Sequence, residues 1–267
     1  MHFGAVKAIV FRQFYLLRES PARIIPLFAW VTVDILLWGF MTKYLAGLIP
    51  PTFSLVSTLL GAVLLWDFFT RIMHGVATAF LEDLWSRNFL NIFASPLTIT
   101  EYLTGLVVTS VATSFVGLIV MLLVATSVFG LTYVVYGAFI FAFLFILFAF
   151  GIALGIFGSA IVLRYGPAAE WFVWPIPAFL SPFIGVFYPL TTLPEWMQIV
   201  SKCLPPAYVF EGMRAIAAGK TIPLELFTIG LLLSLFYIFL ACRFFVLIHR
   251  QAVASGLLAR YSAESVG

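Results

Sequence analysis

The sequence predicts an all-α polytopic membrane protein, and three observations lead to this fold class. Hydrophobic residues make up 63% of the 267 residues and charged residues only 9%, whereas soluble domains carry about 25% charged residues. The mean hydropathy is +1.14. The apolar residues also lie in runs of about 20 or more, the length of a membrane-spanning helix. We therefore treat residues 1–267 as a single transmembrane domain, and the small net charge of +3 gives no reason to expect a nucleic acid partner.

The first 23 residues predict an amphipathic helix that lies in the membrane interface. Lys7, Arg12 and Arg18 stand among apolar residues, a pattern typical of helices at the lipid surface. A secretory signal peptide is not favoured, because the segment lacks a continuous apolar core followed by a small-residue cleavage site.

Six candidate spans follow this interfacial helix. They are residues 24–45, 53–80, 101–128, 133–163, 168–190 and 224–248. An even number of spans places both termini on one side of the membrane. Lys and Arg are more frequent on that side, so the positive-inside rule predicts cytoplasmic termini. The expected location is the bacterial cytoplasmic (inner) membrane.

Prolines interrupt the fifth candidate span and the segment after it. The span contains Pro175, Pro177, Pro182 and Pro189, and each proline removes a backbone donor, so we expect a kinked or broken helix. Residues 191–222 have a helical pattern that is interrupted by two more prolines. They are too apolar for a free loop and too short to span twice, which predicts one or two re-entrant half-helices in the outer leaflet.

Residues 81–97 predict a short amphipathic helix on the cytoplasmic surface. Its apolar face consists of Leu81, Leu84, Trp85, Phe89, Ile92 and Phe93, and its polar face of Asp83, Ser86, Arg87 and Asn91. Ser95 and Pro96 end the helix, and Thr98 with Glu101 has the spacing of a capping box for the next span. Two interpretations stay open, a docking helix for a soluble motor and an ordinary interfacial loop helix.

Three local motifs accompany this layout of spans. They are S-P-L-x-x-x-E-x-L at residues 95–103, L-P-E-W-M-Q at 193–198 and P-P-A-Y-x-x-E-G-M-R at 205–214. With six spans, the sequence resembles the type 2 ABC exporter permeases, the membrane subunits of exporters of drugs, lipid-linked glycans and polysaccharides. The resemblance covers nearly the whole chain.

The resemblance implies a division of roles along the chain. It assigns ATPase coupling to Glu82, Asp83, Trp85, Arg87 and Phe89, and an outer gate to Trp196, Tyr208, Glu211 and Arg214. It also implies a second permease copy, as a homodimer in membrane lipid, and two ATP-binding-cassette ATPase subunits that bind ATP and Mg.

The chain itself carries no sequence signature of an ATPase. Gly219-Lys220-Thr221 has the form of the end of a phosphate-binding loop, but Arg214 stands where the loop needs its first glycine. We therefore expect no catalytic, cofactor or metal site on this chain.

Four polar residues inside the spans are candidates for mechanism: Asp34, Asp67, Arg71 and His74. Asp34 and Arg71 lie about 15 Å and 14 Å from the inner ends of their helices at 1.5 Å per residue, which predicts an ion pair between them. Asp67 and Arg71 are four residues apart and form a competing local pair. A gate or pathway role for Asp34 stays open beside the structural one.

The function predicted from these features is the permease subunit of an ATP-driven exporter that moves a drug, lipid, glycolipid or polysaccharide. The alternative is an ATP-independent secondary transporter or channel. An inverted repeat between the two halves would favour this alternative, and the sequence shows none.

Overall fold

A computed structural model describes residues 2–48, 56–86, 88, 91–92, 94–131, 133, 136–221 and 224–256, and these residues form helices and connecting turns without a β-strand. The helices are α1 (Phe3–Glu19), α2 (Pro21–Ala46), α3 (Gly61–Trp85), α4 (Ile99–Phe129), α5 (Phe139–Tyr165), α6 (Glu170–Val173), α7 (Ile176–Ile184), α8 (Glu195–Lys202), α9 (Pro205–Ala217) and α10 (Leu224–Ala254).

Four helical stretches of the described chain are long and apolar enough to cross a membrane. They are Thr58–Trp85, Ile99–Phe129, Phe139–Tyr165 and Leu224–Ala254, and they correspond to the second, third, fourth and sixth predicted spans. The all-α membrane class is thus confirmed. Helix α2, the first predicted span, has 26 residues but is not among these four stretches, so the count of six spans stays a prediction.

The fifth predicted span is broken, as its prolines indicated. A 3-10 turn at Pro167–Ala169 leads into the short helix α6, and α7 begins only after Trp174 and Pro175. Helix α7 ends at Gly185, whose φ of +66° favours glycine. No straight helix therefore runs through residues 168–190.

The segment after α7 forms two short helices. Cys203 follows the last residue of α8, and Pro205 occupies the first turn of α9, where its missing N–H costs nothing. The carbonyl oxygen of Cys203 accepts a 3.1 Å hydrogen bond from the hydroxyl of Tyr237. Tyr237 lies 13 residues after Leu224, which places the junction of α8 and α9 beside a point about 20 Å along α10.

Residues 81–97 differ from the prediction. Helix α3 continues without a break through Leu81 to Trp85, so the expectation of a separate helix that begins at Leu81 is wrong. The α-helix persists because Leu81 and Leu84 pack in the core and the charge of Asp83 is neutralised within the chain. Among the described residues between Trp85 and Leu97, only Asn91 and Ile92 are helical.

Helix α3 lies at the centre of the core, where it packs against α4 and α5. The glycines of α5 that face α3 allow the two helices to come close together. A Cβ atom at Gly155 would lie 2.8 Å from the Cβ of Val76 and 2.9 Å from the carbonyl oxygen of Met73. The two helices therefore meet almost backbone to backbone, which fixes the depth and rotation of α3.

Candidate functional site

A cavity of about 630 Å³ lies beside α3. Residues of α1, α2, α3 and α4 form its walls, together with Trp174 from the turn between α6 and α7. All four predicted intramembrane polar residues, Asp34, Asp67, Arg71 and His74, line this cavity. The structure thus brings Asp34 of α2 together with the three polar residues of α3.

One face of α3 supplies most of the polar wall. Asp67, Arg71, His74, Thr78 and Glu82 all line the cavity. Their spacings of three and four residues keep them on one side of a helix. At 1.5 Å per residue the stripe is about 22 Å long, from the second turn of α3 to its last turn.

Arg71 lines the cavity together with Asp34 and Asp67. A Cβ atom at Gly117 of α4 would come within 3.0 Å of Nε of Arg71, so the missing side chain of Gly117 makes room for the guanidinium group. The charge of Arg71 acts on the carboxylates of both Asp34 and Asp67. A direct ion pair between Asp34 and Arg71 stays a prediction, since Asp67 competes for the same cation.

His74 connects α3 to the turn after α6. Its Nε2 lies 3.3 Å from the carbonyl oxygen of Trp174, and the centroids of the two rings are 4.4 Å apart. Both residues line the cavity, so this contact forms part of its wall.

Several lining residues were missed from the sequence. Gln13 of α1 and Thr109, Ser110 and Thr113 of α4 all line the cavity. The Gln13 side chain is 4% exposed, and within the described part of the chain its Nε2 and the Oδ2 of Asp67 are buried without a hydrogen-bond partner. The polar stripe on α3 indicates that polar residues of another helix lie opposite it. Nothing in the sequence shows that α1 supplies one of them.

A second polar cluster joins three helices at the end of α3. Asp83 is 1% exposed, and its carboxylate accepts hydrogen bonds from both terminal nitrogens of Arg12, one of them 2.9 Å long. It also accepts a 2.7 Å hydrogen bond from the hydroxyl of Tyr102. The side-chain hydrogen bond to Asp83 raises the pKa of Arg12, so the guanidinium group keeps its positive charge.

The prediction that Asp83 lies on an outward polar face is therefore wrong. Its carboxylate holds α1 against α3 and α4 instead. Of the other proposed coupling residues, Glu82 lines the cavity and Trp85 is 52% exposed. Arg87 and Phe89 lie outside the described residues, and the coupling role of this group stays a prediction.

The proposed outer-gate residues lie on α8 and α9. The Glu211 carboxylate accepts 2.8 Å hydrogen bonds from the backbone N–H of Leu190 and from Arg214. The Tyr208 hydroxyl donates to the carbonyl of Lys202, and the Trp196 ring contacts Phe183. Glu211 thus ties α9 to the 3-10 turn after α7, and the gate role is untested.

No group of three or more metal-ligating side chains occurs in the described chain. A family model for "ABC-2 family transporter protein" matches residues 44–256, which is most of the chain and includes α3 to α10. No curated protein matches the sequence.

Proposed function

The chain belongs to the ABC-2 transporter family, and on this premise we propose that it is the permease subunit of an ATP-driven exporter. As a member of this family it is an integral membrane permease of an ABC transporter, and permeases of this kind associate with an ABC ATPase subunit rather than carry an ATPase of their own. The family match over residues 44–256 is the observation that carries the proposal.

The cavity beside α3 supports a transport role. Burying charged side chains among apolar helices is costly, and such residues mark a pathway, a binding site or a pair. Here Asp34, Asp67 and Arg71 line an open space of about 630 Å³ rather than a closed contact. We propose that this space belongs to the route of a drug, lipid, glycolipid or polysaccharide.

We place both termini and the end of α3 at Trp85 on the cytoplasmic side. Two ATPase subunits, which bind ATP and Mg, would contact residues 85–97 of a permease homodimer there. Because Arg12, Asp83 and Tyr102 join α1, α3 and α4, a push on this end moves the three helices together. The junction of α8 and α9 beside Tyr237 supports a re-entrant position for residues 191–222.

The test is purification of the chain with its candidate ATPase, with substrate export measured in parallel. Trp85→Ala, Arg87→Glu and Phe89→Ala should weaken ATPase association, because an aromatic anchor at an interface often contributes about 2 kcal/mol or more. Phe239→Ala is the matched control, since this exposed ring lies in the middle of α10 and cannot contact a soluble subunit.

Wild-type association and export in all three variants would contradict the coupling role of this segment. Transport by the permease alone, without any ATPase or ATP, would contradict the proposed function and favour the secondary transporter or channel.

A further inference from the structure

We propose that the cavity beside α3 binds an organic cation with an apolar body. The site and its charge preference stand on the geometry of this chain. That such a cation is the exported compound rests on the proposed function, because the cavity then determines the substrate class.

The charge of the described cavity wall is the first argument. It contains three carboxylates, Asp34, Asp67 and Glu82, and one guanidinium group, that of Arg71. By formal charge, the described lining therefore carries an excess of negative charge. A low-dielectric surrounding strengthens the attraction between such a lining and a cation, so the cavity selects against anions.

The size and the aromatic lining are the second argument. A volume of about 630 Å³ lies within the range of roughly 300 to 1,000 Å³ that is typical of sites for drug-sized ligands. Trp30 of α2 and Trp174 after α6 both line the space, and indole rings attract cations through their electron-rich faces. The apolar part of the ligand can contact the same rings and Leu17 of α1.

Two unpartnered polar groups are the third, independent argument. Within the described chain, Nε2 of Gln13 and Oδ2 of Asp67 are buried without hydrogen-bond partners, and both residues line the cavity. A buried donor or acceptor without a partner costs free energy. A cationic centre beside Asp67 would remove the cost at its oxygen, and a hydrogen-bond acceptor beside Gln13 would remove the other.

The experiment measures binding of two ions of nearly the same shape and opposite charge to the full chain in a non-ionic detergent. Equilibrium dialysis with tetraphenylphosphonium and tetraphenylborate compares them directly. We expect the cation to bind saturably at a single site. The anion should bind at least about tenfold more weakly, because the site is selective for charge.

Asp34→Asn and Asp67→Asn keep the size of each side chain and remove its charge. Each should weaken cation binding by about tenfold or more. Glu225→Gln is the control, because this exposed carboxylate at the start of α10 lies outside the cavity lining. If an aspartate variant does not fold, Thr78→Leu narrows the cavity without a change of charge and should weaken binding of the cation in the same way.

Equal binding of the two ions would overturn the inference, and so would wild-type affinity for the cation in a folded Asp67→Asn or Thr78→Leu variant.

Added phosphatidylethanolamine, with phosphatidylglycerol as its anionic counterpart, identifies the source of the natural cation. If phosphatidylethanolamine displaces the cation and phosphatidylglycerol does not, the site binds an amine headgroup. If neither lipid displaces it, the natural ligand is a free cation. Cation binding without ATPase association contradicts the proposed function alone, whereas ATPase association without charge-selective binding contradicts this inference alone.

Discussion

At the scale of single residues, the contact of Arg12 with Asp83 should dominate the stability of the end of α3. Removing one partner of a buried ion pair typically costs about 3 to 5 kcal/mol, because the other charge is left uncompensated. Arg12→Ala leaves the buried Asp83 carboxylate with the Tyr102 hydroxyl as its hydrogen-bond donor among the described residues. We expect a lower melting temperature in detergent and a lower yield of folded protein.

The control for this prediction uses another cation of α1. Lys7→Met removes an exposed charge on the same helix and should leave the melting temperature unchanged. The double variant Arg12→Met with Asp83→Leu should be milder than the sum of the single losses, since no unpaired charge remains. Strictly additive losses would show that the pair makes no coupled contribution.

Arg71 offers a second prediction at this scale, because it is shared between two carboxylates. Asp34→Asn and Arg71→Gln should each reduce the yield of folded protein, and the double variant should lose less than their sum if the two residues interact. The same comparison of single and double variants, with Asp67→Asn in place of Asp34→Asn, measures the competing pair. Coupling in the Asp67 cycle alone would leave Asp34 without a structural partner in Arg71 and would strengthen its assignment to the pathway.

At the scale of elements, the start of α4 depends on a capping box that also anchors α1. The Thr98 side chain accepts a hydrogen bond from the backbone N–H of Glu101, and the Glu101 carboxylate accepts one from the backbone N–H of Thr98. The backbone N–H of His2 donates to the same carboxylate. Thr98→Ala should therefore lower the free energy of unfolding by about 1 kcal/mol. It should also speed amide hydrogen exchange in the first turn of α4.

Thr104→Ala is the matched control, because Thr104 lies one turn further along α4 and its hydroxyl donates to the carbonyl of Thr100 within the same helix. Alanine has the higher helix propensity there, so exchange in the first turn should not change. Equal exchange rates in the Thr98→Ala variant and the wild type would show that packing, rather than the cap, holds this helix end.

The capping box was predictable from the sequence because it is a local device, with all its partners within four residues. The break before α7 was predictable for the same reason, since Pro175 and Pro177 act on their own backbone. The continuation of α3 was not. Glu82 and Asp83 have the local appearance of surface residues, and the partner that neutralises Asp83 is Arg12, which is 71 positions away in the sequence.

The candidate site was predictable to a similar degree. Charges in apolar runs are conspicuous, so Asp34, Asp67, Arg71 and His74 could be selected from the sequence as functional candidates. Their assembly around one cavity depends on the way α2, α3 and α4 pack, and packing of this kind follows from long-range contacts such as that of Arg71 with Gly117. Gln13 and the hydroxyl groups of α4 were missed for this reason.

At the scale of the whole molecule, the orientation in the membrane can be tested with three cysteines at defined positions. Helix α10 has 31 residues and is about 46 Å long, which exceeds the apolar core of about 30 Å. Its two ends therefore lie on opposite sides if it spans. Lys220 precedes α10 and Ser255 follows it, and both are exposed.

With both natural cysteines replaced by alanine, Lys220→Cys should react with a membrane-impermeant thiol reagent added outside intact cells. Ser255→Cys should react only after permeabilisation, because Lys and Arg residues favour the cytoplasmic side. The reverse pattern would overturn the orientation. Cys203 alone, in a Cys242→Ala background, should react from outside but more slowly than Lys220→Cys, since its backbone carbonyl contacts Tyr237 far along α10. A rate equal to that of Lys220→Cys would place α8 and α9 on the outer surface rather than within the outer leaflet.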